Sequence, residues 1–191
     1  TINDDQTVLC AEKDRYHLVD LRVTLAIDLT RYRTTPAQNP SARLSRESDI
    51  SDLRKIAGVN HTISRFFTDR HFDREKCRQL YEVWIEKSVK GRADRVFVWD
   101  DQNKAVAYVT AVIDPDQRGS IELVGVAPEW QGRGVGKILI STALGYFAEQ
   151  RIFSVTTVTQ GRNIPAMNFY QKCGFSIQSI ELWYHKWFKE Q

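Results

Sequence analysis

The run Gln131-Gly132-Arg133-Gly134-Val135-Gly136-Lys137 constrains this chain more than any other stretch. It follows the β-rich segment Ile121-Glu122-Leu123-Val124-Gly125-Val126 and leads into a segment with helical patterning. A strand, a glycine-rich turn and a helix start together make a seat for a phosphate. Missing Cβ atoms let a ligand approach the backbone. Unpaired N–H groups at the helix N-terminus, with the positive end of its dipole, attract the anion. Glycine loops also serve as plain turns, so spacing has to decide between the readings. Lys137 is followed by Ile138, which excludes Gly-x-x-x-x-Gly-Lys-Ser/Thr. Nor does the loop open an N-terminal dinucleotide unit with an acidic residue about twenty positions on.

The 191 residues suffice for one large domain, or one domain and a fragment, and 42% hydrophobic residues suit a sizeable core. Charge is nearly balanced, with 27 basic and 24 acidic residues, and the basic ones are dispersed, which argues against a nucleic-acid partner. No apolar run reaches the roughly 20 residues needed to span a bilayer. No secretory signal is visible either, so the expectation is no membrane insertion and a cytoplasmic location. Cys10, Cys77 and Cys173 have no short spacing, which points to neither a zinc site nor a disulfide framework.

Val19, Leu21, Val23, Leu25, Ile27 and Leu29 alternate with Asp20, Arg22, Thr24, Ala26 and Asp28, the period of a half-buried strand. One long strand is not stable alone and must join a sheet; pairing across a homodimer is one way. Residues 34–40 read as a linker, so residues 1–39 are expected to be the remnant of an N-terminal subdomain and 40–191 the main domain. Within the latter, 42–46 fit a first strand. Glu47-Ser48-Asp49 fits the cap of a helix carrying Ile50, Leu53, Ile56 and Ala57, and His61 to Arg70 a loop. Asp73 can cap a second helix with Leu80, Tyr81, Trp84, Ile85 and Val89 on its apolar face, ended by Gly91. Strands follow at 95–99 and 105–113. The helix opening in the glycine loop has Val135, Ile138, Leu139, Thr142 and Tyr146 as its core stripe. A strand near 153–159, a short helix at 165–172 and a strand at 177–188 complete an α/β fold with a mixed sheet.

Gln131, Gly134 and Gly136 fit Gln/Arg-x-x-Gly-x-Gly/Ala, the pyrophosphate loop of the GNAT superfamily of N-acetyltransferases. Val124-Gly125-Val126-Ala127-Pro128 resembles that superfamily's fourth strand leading into the loop, and Phe153 to Thr159 its fifth. The segment from Asn163 through Ala166 and Tyr170 to Gly174-Phe175 resembles its Asn-x-x-Ala-x-x-x-Tyr-x-x-x-Gly-Phe motif. The resemblance covers roughly residues 40–191. It implies a mixed, mostly antiparallel sheet flanked by helices, the acyl-CoA N-acyltransferase fold. It further implies acetyl-CoA as cosubstrate between splayed fourth and fifth strands, and no metal.

Carried over by motif, Gln131, Gly132, Arg133, Gly134, Val135, Gly136 and Lys137 would hold the pyrophosphate. Val124 and Val126 would bind the pantetheine arm through their backbone. Asn163 would hydrogen-bond the same arm, although asparagine is also a favoured helix N-cap. Tyr170 would assist the departing thiolate. Glu122, read as sharing a strand face with Val124 and Val126, is the candidate base; bulk water is the other. His17, His61, His71 and His185 are scattered.

Residues 16–29, Ser64-Arg65-Phe66, and Tyr81-x-x-Trp84-Ile85 with Ser88-Val89-Lys90-Gly91 further resemble the TDP-fucosamine acetyltransferases. This implies the amine of a TDP-linked 4-amino-4,6-dideoxy sugar as acceptor, with Arg65 and Arg70 as candidate partners for its diphosphate. The alternatives are a protein N-terminus, an antibiotic or a polyamine as acceptor, or a non-catalytic acyl-CoA-binding module.

Overall fold

The computed structural model describes residues 4–31 and 40–188, so the linker expected at 34–40 lies outside the described residues except for Pro40. In chain order the elements are α1 (Asp5–Lys13), β1 (His17–Asp28), β2 (Ala42–Leu44), α2 (Ile50–Asn60), α3 (Arg65–Thr68) and α4 (Arg74–Lys87). These are followed by β3 (Arg95–Asp101), β4 (Lys104–Ile113), β5 (Gly119–Val126), α5 (Val135–Glu149), β6 (Ser154–Gln160), α6 (Ile164–Lys172) and β7 (Ser176–His185). The strands form one seven-stranded sheet in the order β2-β3-β4-β5-β6-β1-β7. Every pairing is antiparallel except β5 with β6. The mixed, mostly antiparallel sheet flanked by helices is therefore present as the sequence implied.

The period-two segment is the strand β1, and its apolar positions explain its place. Val23, Leu25, Ile27 and Leu29 are all buried and join the core under α5. Burying each such side chain stabilises by about 2 kcal/mol. β1 runs inside the sheet: Arg22 to Asp28 pair with Gln160 to Ser154, and His17 to Ala26 pair with His185 to Ser176. From Arg22 to Ala26 both of its edges are filled within the chain, so this part of the strand has no free edge for a second copy.

Two apolar clusters sandwich the sheet. One lies under α5 and includes Leu139, Leu144, Phe147, Ile121 and Phe175. The other lies under α2 and α4 and includes Leu53, Ile85, Tyr81, Tyr108 and Leu123. Asp73 caps α4 by accepting the Lys76 N–H at 2.9 Å, as its position suggested. At φ 105°, Gly91 closes the turn after α4 in the left-handed region that glycine tolerates.

Three local readings are corrected. Asp49 makes no side-chain cap on α2; its carboxylate takes the Arg46 N–H and the Arg43 guanidinium instead. The segment 61–70 is not all loop, because Arg65–Thr68 form a helical turn. The core face of α5 is Val135, Leu139, Ile140, Ala143, Leu144 and Phe147, while Ile138, Thr142 and Tyr146 are only half-buried. α5 packs against β3, β4 and β5 together, so its buried face is wider than one stripe and turned from the expected one.

Leu25 is fully buried and Leu18, on the same strand, is 53% exposed. Leu25→Ala is expected to lower unfolding free energy by about 3 kcal/mol and Leu18→Ala by under about 0.5 kcal/mol. Urea unfolding of the two variants checks this.

Candidate active site

The site begins where the parallel ladder ends. β5 and β6 pair only at Gly119–Val155, Ser120–Thr156 and Ile121–Thr157. Beyond these rungs β5 continues alongside β4, with Val124, Gly125 and Val126 opposite Val109, Tyr108 and Ala107. β6 continues alongside β1, with Val158, Thr159 and Gln160 opposite Thr24, Val23 and Arg22. Each strand keeps its outer partner and loses its inner one, so a wedge opens between them.

A bulge sits at the apex. Val109 and Ala111 on β4 face Val124 and Ile121 on β5, so β5 carries one extra residue. Thr110 absorbs it: its Oγ1 accepts the Leu123 N–H at 2.9 Å. The bulge also reverses the alternation of side chains. Val124 and Val126 pack toward the α5 cluster, whereas Glu122 turns to α4, where Arg92 is ion-paired to it and Trp84 Nε1–H donates to it at 3.2 Å. The expectation that Glu122 shares a face with Val124 and Val126 is therefore corrected; a strict period of two cannot foresee an inserted residue.

The Ala127 N–H donates to the Val106 carbonyl at 2.8 Å. By antiparallel alternation, the N–H and C=O of Val126 and Val124 point the other way, into the wedge. Those of Val126 are occupied: its N–H donates to Asn60 Oδ1 (3.2 Å), and its carbonyl accepts from Gln131 Nε2 (3.1 Å). Val124 is left to present its backbone to a ligand. Asn60, at the last turn of α2, thus ties that helix to the site.

The glycine loop has the geometry its composition implied. Gly132 and Gly134 have φ of 75° and 80°, and a Cβ at either would meet nothing within 4 Å. Their glycine requirement is conformational, and the space beside them is open. At Gly136 a Cβ would come within 3.3 Å of the Phe169 ring, so here glycine lets α5 approach α6. The first bond within α5 runs from the Ile138 N–H to the Gly134 carbonyl at 3.2 Å. The amides of Val135, Gly136 and Lys137 therefore lack helical acceptors. The first turn of α5 holds no acidic residue, and Gly134 provides no side-chain cap. Arg133 lies over the Trp130 ring with its guanidinium carbon 4.9 Å from the centroid. This combination suits the diphosphate of coenzyme A.

Across the wedge, Asn163 caps α6, its Oδ1 accepting the Ala166 N–H at 3.2 Å. Tyr170 is 7% exposed, with the Thr157 hydroxyl beside its phenol. Thr157 in turn donates to the Ile121 carbonyl across the final β5–β6 rung, at 3.0 Å. The phenol therefore sits at the wedge apex. Burial pushes its pKa up. Cys173 is buried, and burial raises its thiol to about 11, which leaves it protonated and a poor nucleophile.

On the α4 side the structure assembles groups that no sequence pattern joined. His61 Nε2 lies 2.9 Å from Tyr108 Oη, and its ring stacks on Tyr81 at 4.6 Å between centroids. The Tyr108 ring covers Gly125: a Cβ there would fall 2.5 Å from it. A glycine in the strand was the one available signal of such close approach. Desolvation lowers the His61 pKa to about 4. No group of three or more His, Cys, Asp or Glu placed to hold a metal ion occurs among the described residues. No helix among them is long and apolar enough to cross a membrane.

The chain belongs to the acetyltransferase (GNAT) family, which residues 58–175 match. It is 24% identical over 139 residues to the spore coat polysaccharide biosynthesis protein SpsD of Bacillus subtilis, covering 73% of this chain and 48% of that protein. It is 32% identical over 133 residues to a mycothiol acetyltransferase of Streptomyces griseus, covering 69% of this chain and 40% of the other. The chain thus spans about half the length, or less, of these relatives. Among solved structures, a GCN5-related N-acetyltransferase from Sphaerobacter thermophilus superposes with a TM-score of 0.68 at 18% identity. That match covers 93% of this chain and 55% of the other and shows the fold alone.

The His61 shift has a stability consequence. In the unfolded chain the imidazole takes a proton near its ordinary value of 6.5, but in the folded protein only near 4. Between these values the unfolded state binds more protons. Stability therefore falls as pH drops through that window, by at most about 1.4 kcal/mol per pH unit. His61→Gln is expected to flatten the dependence, read as urea midpoints between about pH 7 and 4.5.

Proposed function

We propose that this chain transfers the acetyl group of acetyl-CoA to the amine of a small molecule by direct attack, without an acyl-enzyme. The carrying observation is the convergence on one wedge of an open main-chain site at Val124, a diphosphate-binding loop at 131–137 and the Tyr170 phenol at the apex. When bound, acetyl-CoA supplies the activated acyl group as a thioester.

The residues divide the work. The amides of Val135, Gly136 and Lys137 hold the diphosphate at the helix N-terminus. The Val124 backbone adds the pantetheine arm as a further strand against β5, and its N–H polarises the thioester carbonyl. Asn163 caps α6 through Oδ1, which leaves its amide N–H₂ to donate to the arm in this reading. Tyr170 faces the sulfur. Full proton transfer from an ordinary tyrosine to a thiolate is uphill by about 2 kcal/mol, and burial makes it more so. The phenol therefore acts by a hydrogen bond that strengthens as sulfur gains charge. Glu122, with its oxygens committed to Arg92 and Trp84, holds the α4 wall, and the amine proton leaves to water.

The preferred acceptor is an amino sugar carried on a nucleotide, with a TDP-linked 4-amino-4,6-dideoxy sugar as the narrowest form of this reading. Two observations support it. The α4 side of the sheet is aromatic, with Phe67 and Trp84 half-buried against the buried Tyr81 and Tyr108, and its carboxylate Glu122 is neutralised by Arg92, a poor match for a polyamine. The relative SpsD is named for polysaccharide biosynthesis.

Thiol release against a panel of amines that includes TDP-amino sugars tests the reading. Tyr170→Phe is expected to lower kcat by about 100-fold and leave acetyl-CoA affinity unchanged. Gly134→Ala, strained at positive φ, is expected to weaken acetyl-CoA binding and to lower unfolding free energy by about 1 kcal/mol. Tight coenzyme binding with no release for any amine would point instead to an acyl-CoA-binding module.

A further inference from the structure

Every other half-buried arginine on the sheet and helices around the site has its charge met. Arg43 is held by Asp49 and Asp100, Arg54 by Glu82 and Glu86, and Arg22 by Glu181. Arg65 is the exception among the described residues. Its guanidinium carbon lies 3.7 Å from the centroid of the Trp183 ring on β7 and 4.3 Å from that of Phe66. The aromatic rings satisfy its faces. Among the described residues no carbonyl or carboxylate takes a hydrogen bond from its edge, and no acid comes within ion-pair distance.

Its surroundings explain why this is costly. Burial disfavours the charged form, and Arg22 nearby adds like-charge repulsion. Asp20 is the acid whose charge favours the guanidinium. Asp20, buried beside the β1 bulge at Leu18/Asp20, does not close on Arg65: its Oδ1 accepts the Leu21 N–H and lies 3.9 Å from Arg162. A desolvated guanidinium with a free donor edge gains far more from an anion than a hydrated one.

The sandwich is also built to hold still. Phe66 and Trp183 come from distant parts of the chain, and Asp69 fastens those parts together. The Asp69 carboxylate accepts from His185 Nδ1 at 2.6 Å and from Trp187 Nε1 at 2.9 Å, both at the end of β7. It also accepts the His71 N–H of its own loop at 3.0 Å. From Arg65 the contacts lead through Trp183 to Arg22, whose guanidinium carbon lies 6.0 Å from the same ring centroid and whose backbone pairs with Gln160 at the end of the β6 arm of the wedge.

We propose that Arg65, clamped between Trp183 and Phe66, anchors a diphosphate group of the acceptor on the side of the wedge opposite the coenzyme loop, and so determines acceptor specificity. The inference rests on the acetyltransferase reading for the orientation of the acceptor, but its test does not require turnover. Both the acceptor and coenzyme A carry a diphosphate, so the coenzyme site is filled first. Thymidine diphosphate and inorganic pyrophosphate are titrated by calorimetry into the protein saturated with coenzyme A.

The wild-type protein is expected to bind thymidine diphosphate. Arg65→Gln is expected to bind it at least tenfold more weakly, and Arg65→Lys to fall between, because an ammonium keeps the charge but loses the planar fork. Coenzyme A affinity and the thermal midpoint, measured alongside, should match wild type in the Lys variant, which keeps the test valid should the Gln variant fold poorly. Absence of diphosphate binding to the coenzyme-saturated protein, or equal binding by wild type and Arg65→Lys, overturns the proposal. Failure of the acetyltransferase reading looks different: Arg65-dependent diphosphate binding with no thiol release for any amine.

Discussion

The structure depends on a ladder that stops. Three rungs join β5 to β6, and after Ile121–Thr157 the two strands part. A sheet normally tolerates no such gap, because backbone N–H and C=O groups left without partners cost free energy. Here the loss is limited by what lies outside. β4 holds β5 along its outer edge, β1 holds β6 along its own, and Asn60 and Gln131 side chains take up the polar groups of Val126. What remains unmet at Val124 is the space a strand-like ligand can occupy. The same parting brings the start of α5 and the buried end of α6 to either side of one opening.

Much of this was legible in the residues, for a physical reason. The glycine loop is local: positive φ at Gly132 and Gly134 and open amides at the helix start are settled by neighbours in sequence. Asn163 and Tyr170 belong to one short helix, so their spacing carried their geometry. The strand at 17–28 could be read because both its period and its need for a sheet are intrinsic.

What stayed hidden depends on tertiary placement. The extra residue on β5 that turns Glu122 away from Val124 is defined only against β4, through Thr110. His61, Tyr108 and Gly125 come from a helix end and two strands, and no spacing links them. Asp49 looks like a helix cap in sequence because the competing claim of Arg43 comes from β2. The setting of Arg65 needs Trp183, far along the chain.

The position of β1 gives the last strand an unusual dependence. Among the described residues β7 borders no strand but β1, and it supplies Trp183 and His185. In folding, β7 must therefore find β1, far away in sequence and already seated beside β6, before it has anywhere to dock. Contacts of such sequence separation form late and slowly. The β7 side of the sheet is then completed late, and a chain deprived of β1 would keep its glycine loop but have no place for β7 to dock.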